Sequence, residues 1–467
     1  MTPLTFILTS LVQGSGQGSQ LTFMFTQSGQ TLGNAYSASV SLGDLDGDGD
    51  LDAFVANYLG PNIIYFNNGQ GTFSDSGQSL GNRDSFDVAL DDLDNDGDLD
   101  AWVANYNAPN SVWLNDGLGV FTDSGQSLGN NRTNAISLGD LDGDGDVDGW
   151  AANGLGEPDA IWLNLGDGRF AHSGQSLGSS FSYGVDLGDL DGDGDLDAWV
   201  ANEDEGNTVW MNQGDGIFLN SGQSLGFNAS FSVDLGDIDG DGDLDAFVAN
   251  YSGQPNVVWT NSGNGFFNNS GQLLGDNYSF SLSLSDLDHD GDLDAWVANY
   301  LGPNLVWVND GTGIFMDSGQ TLGDNKSFSV SLGDLDGDGD PDAWVANDDA
   351  PNIVWTNIVQ GGCCVKNNCV QLERDTCVQI GGTYFGGNCE EIECTPMEPA
   401  GACCINGEAV VLSESECQRV DGVFQGQGST PEEVNCAKKC DQDLDKNGAV
   451  DFPDLLEVIS AWGPCPG

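Results

Sequence analysis

The sequence predicts an all-β chain dominated by a seven-bladed β-propeller, and three observations carry that prediction. First, an aspartate-rich motif recurs at Asp44, Asp92, Asp140, Asp189, Asp237, Asp286 and Asp334, at spacings of 48, 48, 49, 48, 49 and 48 residues. Second, each period holds four short runs of Val, Ile, Phe and Trp between Gly, Asn and Asp turns. A period near 50 with four strands is that of a propeller blade. Third, the ends are complementary. The seventh unit stops after its third strand at Asn357, and the missing fourth strand stands at the other end, in LTFMFTQSGQTLG over residues 21–33. Phe25, Ser28, Gly29 and Gln30 align with Phe73, Ser76, Gly77 and Gln78 one unit later. An N-terminal strand completing the last blade closes a ring and removes an open sheet edge. A right-handed solenoid, the rival architecture, has no use for such a split.

Along the chain, residues 1–20 read as a weak or truncated secretion leader, apolar from Leu4 to Val12 but lacking a basic start. The propeller follows over residues 21–359. Its blades read SxxVxLGD, AWVAN, xxVWxN and xFxxSGQ, as in SFSVSLGDLDGDGDPDAWVANDDAPNIVWTN over residues 327–357. Two cysteine-rich modules occupy residues 360–398 and 399–440, and a calcium-loop tail occupies 441–467. No run of about 20 apolar residues is present, so no membrane-spanning helix is expected.

Composition narrows the function. The chain carries 74 acidic and 10 basic residues, a formal net charge of -64. That excludes the basic footprint of nucleic-acid binding and disfavours attraction to an anionic membrane surface. With 39% hydrophobic residues and 12 Trp, disorder is not the explanation, and so many carboxylates in an ordered chain point to bound metal.

The metal motif is D-x-D-x-D-G-x-x-D, between the first and second strands of every unit. Its candidate ligands are Asp44, Asp46, Asp48 and Asp52; Asp92, Asp94, Asp96 and Asp100; Asp140, Asp142, Asp144 and Asp148; and Asp189, Asp191, Asp193 and Asp197. They continue with Asp237, Asp239, Asp241 and Asp245; Asp286, Asp288, Asp290 and Asp294; and Asp334, Asp336, Asp338 and Asp342. Ca2+ takes several hard oxygen ligands in a flexible shell, and alternate residues of a tight loop turn their carboxylates inward. Position six is Gly in all seven loops, where a sharp turn calls for positive φ. Position seven is expected to offer its carbonyl, leaving the Asp50 side chain and its equivalents to water or to a second layer around the ion. A merely solvated acidic turn would hold five like charges within nine residues, which repel unless a cation intervenes. Mg2+ is a competitor with a stricter octahedral shell. The expectation is about seven Ca2+ in the propeller.

These units resemble FG-GAP/VCBS repeats, the family that includes the integrin α-subunit propeller. The resemblance rests on LGDLDGDGDLDAFVANY, residues 42–58, and covers roughly residues 21–357. It implies structural calcium loops on one face and ligand binding by other loops. Many bacterial relatives are surface proteins and a few are joined to lyases or lectins; integrins carry fewer metal loops than this chain.

Aromatics recur in the second strand (Phe54, Trp102, Trp150, Trp199, Phe247, Trp296, Trp344) and the third (Tyr65, Trp113, Trp162, Trp210, Trp259, Trp307, Trp355). Packing between blades is the expected role, with sugar stacking as the alternative. The SGQ triplets and the Asn ending each AWVAN read as turn chemistry, or as polar groups of a glycan site. Catalysis finds little footing: His289 lies within a metal loop, His172 stands alone, and no Ser/His/Asp set, Cys/His pair or phosphate loop is present.

All 12 cysteines fall from Cys363 to Cys465, which argues for disulfides and an oxidising setting, ahead of zinc. Both modules open with a CC pair, Cys363-Cys364 and Cys403-Cys404, and Ala409 stands where the first module has Cys369. They resemble short cysteine-rich repeats of bacterial surface proteins, and Cys465 is a candidate partner for the unmatched cysteine. The tail carries an EF-like loop of Asp443, Asp445, Asn447, Gly448, Asp451 and Asp454 before a short amphipathic helix. It resembles half of a type I dockerin. That leaves open a further Ca2+, a cohesin-like or cell-envelope anchor, and a structural loop with no partner.

The expected function is therefore non-catalytic: a calcium-binding, extracellular, cell-surface recognition or adhesion protein that binds glycan or protein. A polysaccharide lyase or hydrolase built on the propeller and a structural surface spacer are the alternatives.

Overall fold

The computed structural model describes residues 22–33, 36–365, 368–384, Cys389, Cys394 and the strands Gly401–Ile405, Glu408–Leu412 and Val423–Phe424. Seven antiparallel sheets form the blades, six of them four-stranded meanders in chain order. The innermost strands are Ser37–Gly43, Ser85–Asp91, Thr133–Gly139, Ser182–Gly188, Ser230–Gly236, Ser279–Ser285 and Lys326–Gly333. Each contacts the next, and the first contacts the seventh, so the ring is closed. In the seventh blade Thr22–Gln27 pairs with Ile353–Val365, from Thr22 opposite Gln360 to Gln27 opposite Trp355. The strand expected to close the ring does so.

Packing between blades explains the repeated aromatics. The second strand is buried along its whole length in six blades, and in the seventh in all but its last residue, because both its faces meet a sheet. Its aromatic ring meets, edge to face, the Phe that opens the fourth-strand segment of the following blade. Trp102 meets Phe170 at 4.4 Å and Trp344 meets Phe73 at 4.5 Å between ring centroids. Trp296 meets Phe25 of the closing strand at 6.4 Å. Packing is the role of these rings, and truncating one such fully buried Trp costs about 3–5 kcal/mol.

Two polar clamps supplement the aromatic contact. The Gln of each SGQ reaches the next blade: Gln78 Nε2 donates to the Gly119 carbonyl at 2.6 Å and Gln78 Oε1 accepts from Phe121 N at 3.0 Å. The Asn ending each third strand donates to the previous blade's acidic loop. Asn115 Nδ2 bonds the Leu45 carbonyl at 2.9 Å, and Asn357 Nδ2 bonds the Leu287 carbonyl at 2.8 Å. The AWVAN asparagine is buried in a network of its own, Asn57 Nδ2 to the Pro61 carbonyl and Ser37 Oγ to Asn57 Oδ1. Each such bond is worth about 1 kcal/mol net. These polar groups are occupied within the ring, which leaves packing and turns, rather than sugar contact, as their role.

Beyond the blades, the strand Ile353–Val365 also pairs with Thr383–Tyr384, placing Cys363 opposite Tyr384. Disulfides join Cys363 to Cys377 and Cys369 to Cys389, around the short helix Arg374–Gln379. The disulfide expectation holds for these pairs. The chain divides into two compact units, residues 1–364 with 369–392, and residues 365–368 with 393–467. In the second, Gly401–Ile405 pairs with Glu408–Leu412 and with Val423–Phe424, the latter placing Cys403 opposite Phe424. Among the described residues no helix is long and apolar enough to cross a membrane. The leader at 1–20 and the tail ligands Asp443, Asp445, Asn447, Asp451 and Asp454 lie outside the described residues.

Candidate metal centres and the channel mouth

Antiparallel pairing of the first two strands fixes two opposite faces. At one end Gly43 lies opposite Asp52, with the acidic loop between them; at the other, Ser37 lies opposite Asn57. All seven acidic loops therefore share one face, and the loops entering first strands and leaving second strands share the other.

Each acidic loop is shaped by its own carboxylates. The first Asp accepts the amide of the Gly at position six in all seven loops, at 3.0 or 3.1 Å. Those glycines hold φ between 94° and 97°, a region closed to most side chains. Position four is also left-handed. Five loops have Gly there, but Asn95 (φ 63°) and His289 (φ 62°) adopt the same conformation. The last Asp is buried and ties the loop to the sheet: Asp52 accepts from Leu45 N at 3.0 Å and from Asn67 N at 2.8 Å. The position-seven side chain packs on the turn between the third and fourth strands, where a Cβ at Gly69 would collide with the Asp50 carboxylate. In the last blade Asp340 instead accepts from Val359 N at 2.9 Å and pairs with His289 Nε2 at 3.2 Å.

The Asp at position three of the loop provides the test of fit for a cation. Asp46, Asp94, Asp239 and Asp288 each bury one carboxylate oxygen with no hydrogen-bond donor. Oxygens of Asp44, Asp46 and Asp48 lie within 4.8 Å of one another, as do those of Asp92, Asp94 and Asp96. The sets Asp140, Asp142, Asp148 and Asp189, Asp191, Asp197 are grouped in the same way. Oxygens about 2.4 Å from one Ca2+ span at most about 4.8 Å, so the donor set fits that ion. Electrostatics agree. Burial, and then the charges of Asp46 and Asp48, push Asp52 up to about 6 against its two hydrogen bonds. Burial foremost raises Asp100 to about 7 and Asp294 and Asp342 to about 8. Converging carboxylates without a cation resist ionisation, and a divalent ion removes that cost.

The other face differs. Every first strand has a β-bulge near its start: the register skips Ala38, Phe86, Asn134, Tyr183, Phe231, Phe280 and Phe328. A bulge re-aims a side chain out of the ladder, and these residues ring the mouth of the central channel, around a cavity of about 170 Å3. Tyr58, Tyr106, Tyr251 and Tyr300, each just after a second strand, back them. The rings form two arcs, one from Tyr183 through Phe231 and Phe280 to Phe328, the other Tyr58, Phe86 and Tyr106. Around this mouth the loops expose Leu59, Leu155, Leu301, Phe181 and Phe227. The mouth is absent from the sequence reading. Its signal is an aromatic directly after the Ser at the start of the first strand in five units of seven, which ordinary strand alternation masks.

Deeper in the channel, acidic side chains cap unpaired strand edges. Asp87 accepts from Ile136 N, Asp186 from Leu235 N and Asp234 from Leu284 N, at 2.8 to 2.9 Å. Of the histidines, His172 accepts from Gly174 N at 2.8 Å and lies edge-on to Trp162.

Comparison with known proteins agrees with this architecture. A family model described as FG-GAP-like repeat matches residues 44–103, 92–149, 189–248, 237–297 and 286–345. No curated protein matches the chain in sequence. Two solved structures of BBS1N in complex with ARL6DN, from crystals soaked with mercury and with lead, share its propeller fold. They superpose with TM-scores of 0.53 and 0.52 at 12% and 11% identity, covering 72% and 71% of this chain and 97% and 96% of that one.

Proposed function

The chain belongs to the FG-GAP-like repeat family, and on that premise we propose that it is a calcium-binding extracellular recognition protein. The reading is non-catalytic: one propeller face is held by metal and the other presents a binding mouth. The observation that carries it is the division of the two faces. Buried carboxylate oxygens without donors converge on the loop face. The opposite face gathers aromatic rings and exposed leucines around a cavity, and clustered exposed apolar side chains mark interaction sites.

Residues 1, 3, 5 and 9 of each acidic motif would hold the ion, Asp44, Asp46, Asp48 and Asp52 in the first loop. The ion supplies charge neutralisation and rigidity there. The loops then fix the ends of the strands whose far ends carry the mouth. The disulfides support an oxidising, extracytoplasmic setting. Display through the dockerin-like tail, with a cohesin-like or envelope partner, is the part of the proposal that rests on sequence alone.

The test is a calcium titration by calorimetry followed by a glycan and protein array, probed with the full chain in calcium and in chelator. About seven sites and a calcium-dependent array signal are expected. A protein that takes up no calcium, or folded calcium-loaded protein that leaves both arrays blank, would overturn the reading.

A further inference from the structure

We infer that the channel mouth is a saccharide site that takes a single neutral pyranose ring, the terminal unit of a glycan. The assignment rests on the recognition reading above and names the ligand class of that face.

The site has an apolar wall, a polar sector and a hydroxyl floor. The wall is the arc Tyr183, Phe231, Phe280 and Phe328, with neighbouring centroids 4.0 to 4.8 Å apart. The polar sector lies in the third blade, which lacks both mouth aromatics: Asn134 stands in the bulge column and Gly154 in the tyrosine column. A Cβ at Gly154 would press on Asn134 Nδ2, so the glycine makes room for the amide. Asn134 is only 6% exposed and its Nδ2 donates to the Ser182 carbonyl at 2.8 Å. Asn134 lines the cavity, and its Oδ1 is buried from solvent without a hydrogen-bond donor. An unsatisfied buried acceptor costs about 1–3 kcal/mol, and a small rotation of the amide that exposes the oxygen to a ligand hydroxyl would remove that cost. Beside it, Asp87 accepts from Ser39 Oγ at 2.7 Å. Ser232, Ser281 and Ser329 continue that level around the floor.

A pyranose complements this layout. Its C–H face stacks on aromatic rings, and its hydroxyls donate to the acceptor and exchange bonds with the serines. Size agrees: a closed cavity of about 150 Å3 holds benzene, and this open one of about 170 Å3 holds one six-membered ring with its substituents projecting outward. A cationic ligand is the other occupant that aromatic rings suggest. The chain's own cations already cover two tyrosine faces at the rim, Arg132 over Tyr106 at 4.4 Å and Lys326 over Tyr300 at 5.3 Å. Those two faces are therefore not free for a ligand cation, whereas a neutral ring needs neither of them.

The experiment is saturation-transfer NMR on the full calcium-loaded chain. The probes are methyl glycosides of glucose, galactose and mannose, with tetramethylammonium and N-acetylarginine amide as the competing class. Saturation strongest on ring C–H protons is expected for at least one glycoside, with a dissociation constant on the order of 1 mM. Asn134→Ala and Phe280→Ala should each weaken it at least tenfold. Ala135→Leu, which fills the cavity, should abolish it. Asn134→Ala and Ala135→Leu keep the test decisive if Phe280→Ala is unstable. Saturation of the cations alone, no glycoside signal, or glycoside binding indifferent to Asn134→Ala and Ala135→Leu would overturn the assignment. In the last case recognition of sugar by the protein stands, and only its place at the mouth falls.

Discussion

The two ends of the inner strands obey opposite rules. At the loop end the same five aspartates and the same glycine recur in every blade. At the mouth end, the bulged position is Ala, Phe, Asn, Tyr, Phe, Phe and Phe in turn. Each loop is shaped by bonds from its own amides to its own carboxylates, so its requirement is local and is repeated per blade. The mouth is built jointly by seven blades around one axis, so its requirement is collective and the blades can differ. Repetition marks what each blade needs, and divergence marks what the ring as a whole presents.

The largest expected effect tests the loop end. Removing calcium with chelator should lower the melting temperature by roughly 10 °C or more, since one site at a thousandfold excess over its dissociation constant contributes about 4 kcal/mol. Coincident calorimetric curves in calcium and in chelator would reduce the loops to acidic turns, and the contrast would collapse.

Trp102→Ala is next, because the blade contact is shared by both ends: about 3–5 kcal/mol should be lost in denaturant titration. A loss below 1 kcal/mol would mean that contacts other than this ring pair hold the blades together.

A third test uses an irregularity in the regular framework. Six blades have Asn where the third has Asp159, fully buried and accepting from Asn153 N at 2.7 Å and Ser182 Oγ at 3.1 Å. Burial lifts its pKa to about 7. With the folded value above the unfolded one, its stability is complete below about pH 4 and is lost as pH rises through 7. Asp159→Asn should therefore match the parent near pH 4 and exceed it by about 1–3 kcal/mol at pH 8, measured in saturating calcium. A gain of the same size at both pH values would show that the residue is already ionised throughout.

The smallest effect belongs to the mouth. Leu155 is 51% exposed and holds φ at 58°, a conformation that favours glycine. Leu155→Gly should add about 0.5–1 kcal/mol of stability while weakening ligand capture. Unchanged capture would remove this leucine from the binding face.

Most of the fold was legible because its signals are periodic. The blade number, the closing strand and the acidic loops all follow from residues that return every 48 or 49 positions. The mouth was not legible, because a bulge is a backbone event with no residue signature of its own. Phe231 in SFSVDLG reads as an alternating strand residue until the register is seen to skip it. The glutamine clamps were hidden for a related reason. Gln78 sits in a triplet that already suits a turn, and its partners at Gly119 and Phe121 lie some 40 residues away.

The bulge also bears on how such a protein can change. A residue outside the ladder register can be exchanged without moving any strand that flanks it. Seven such residues face one opening, like the tumblers of a lock. A lineage could recut them one at a time, keeping the closed ring as an unaltered housing while the opening acquires a different key.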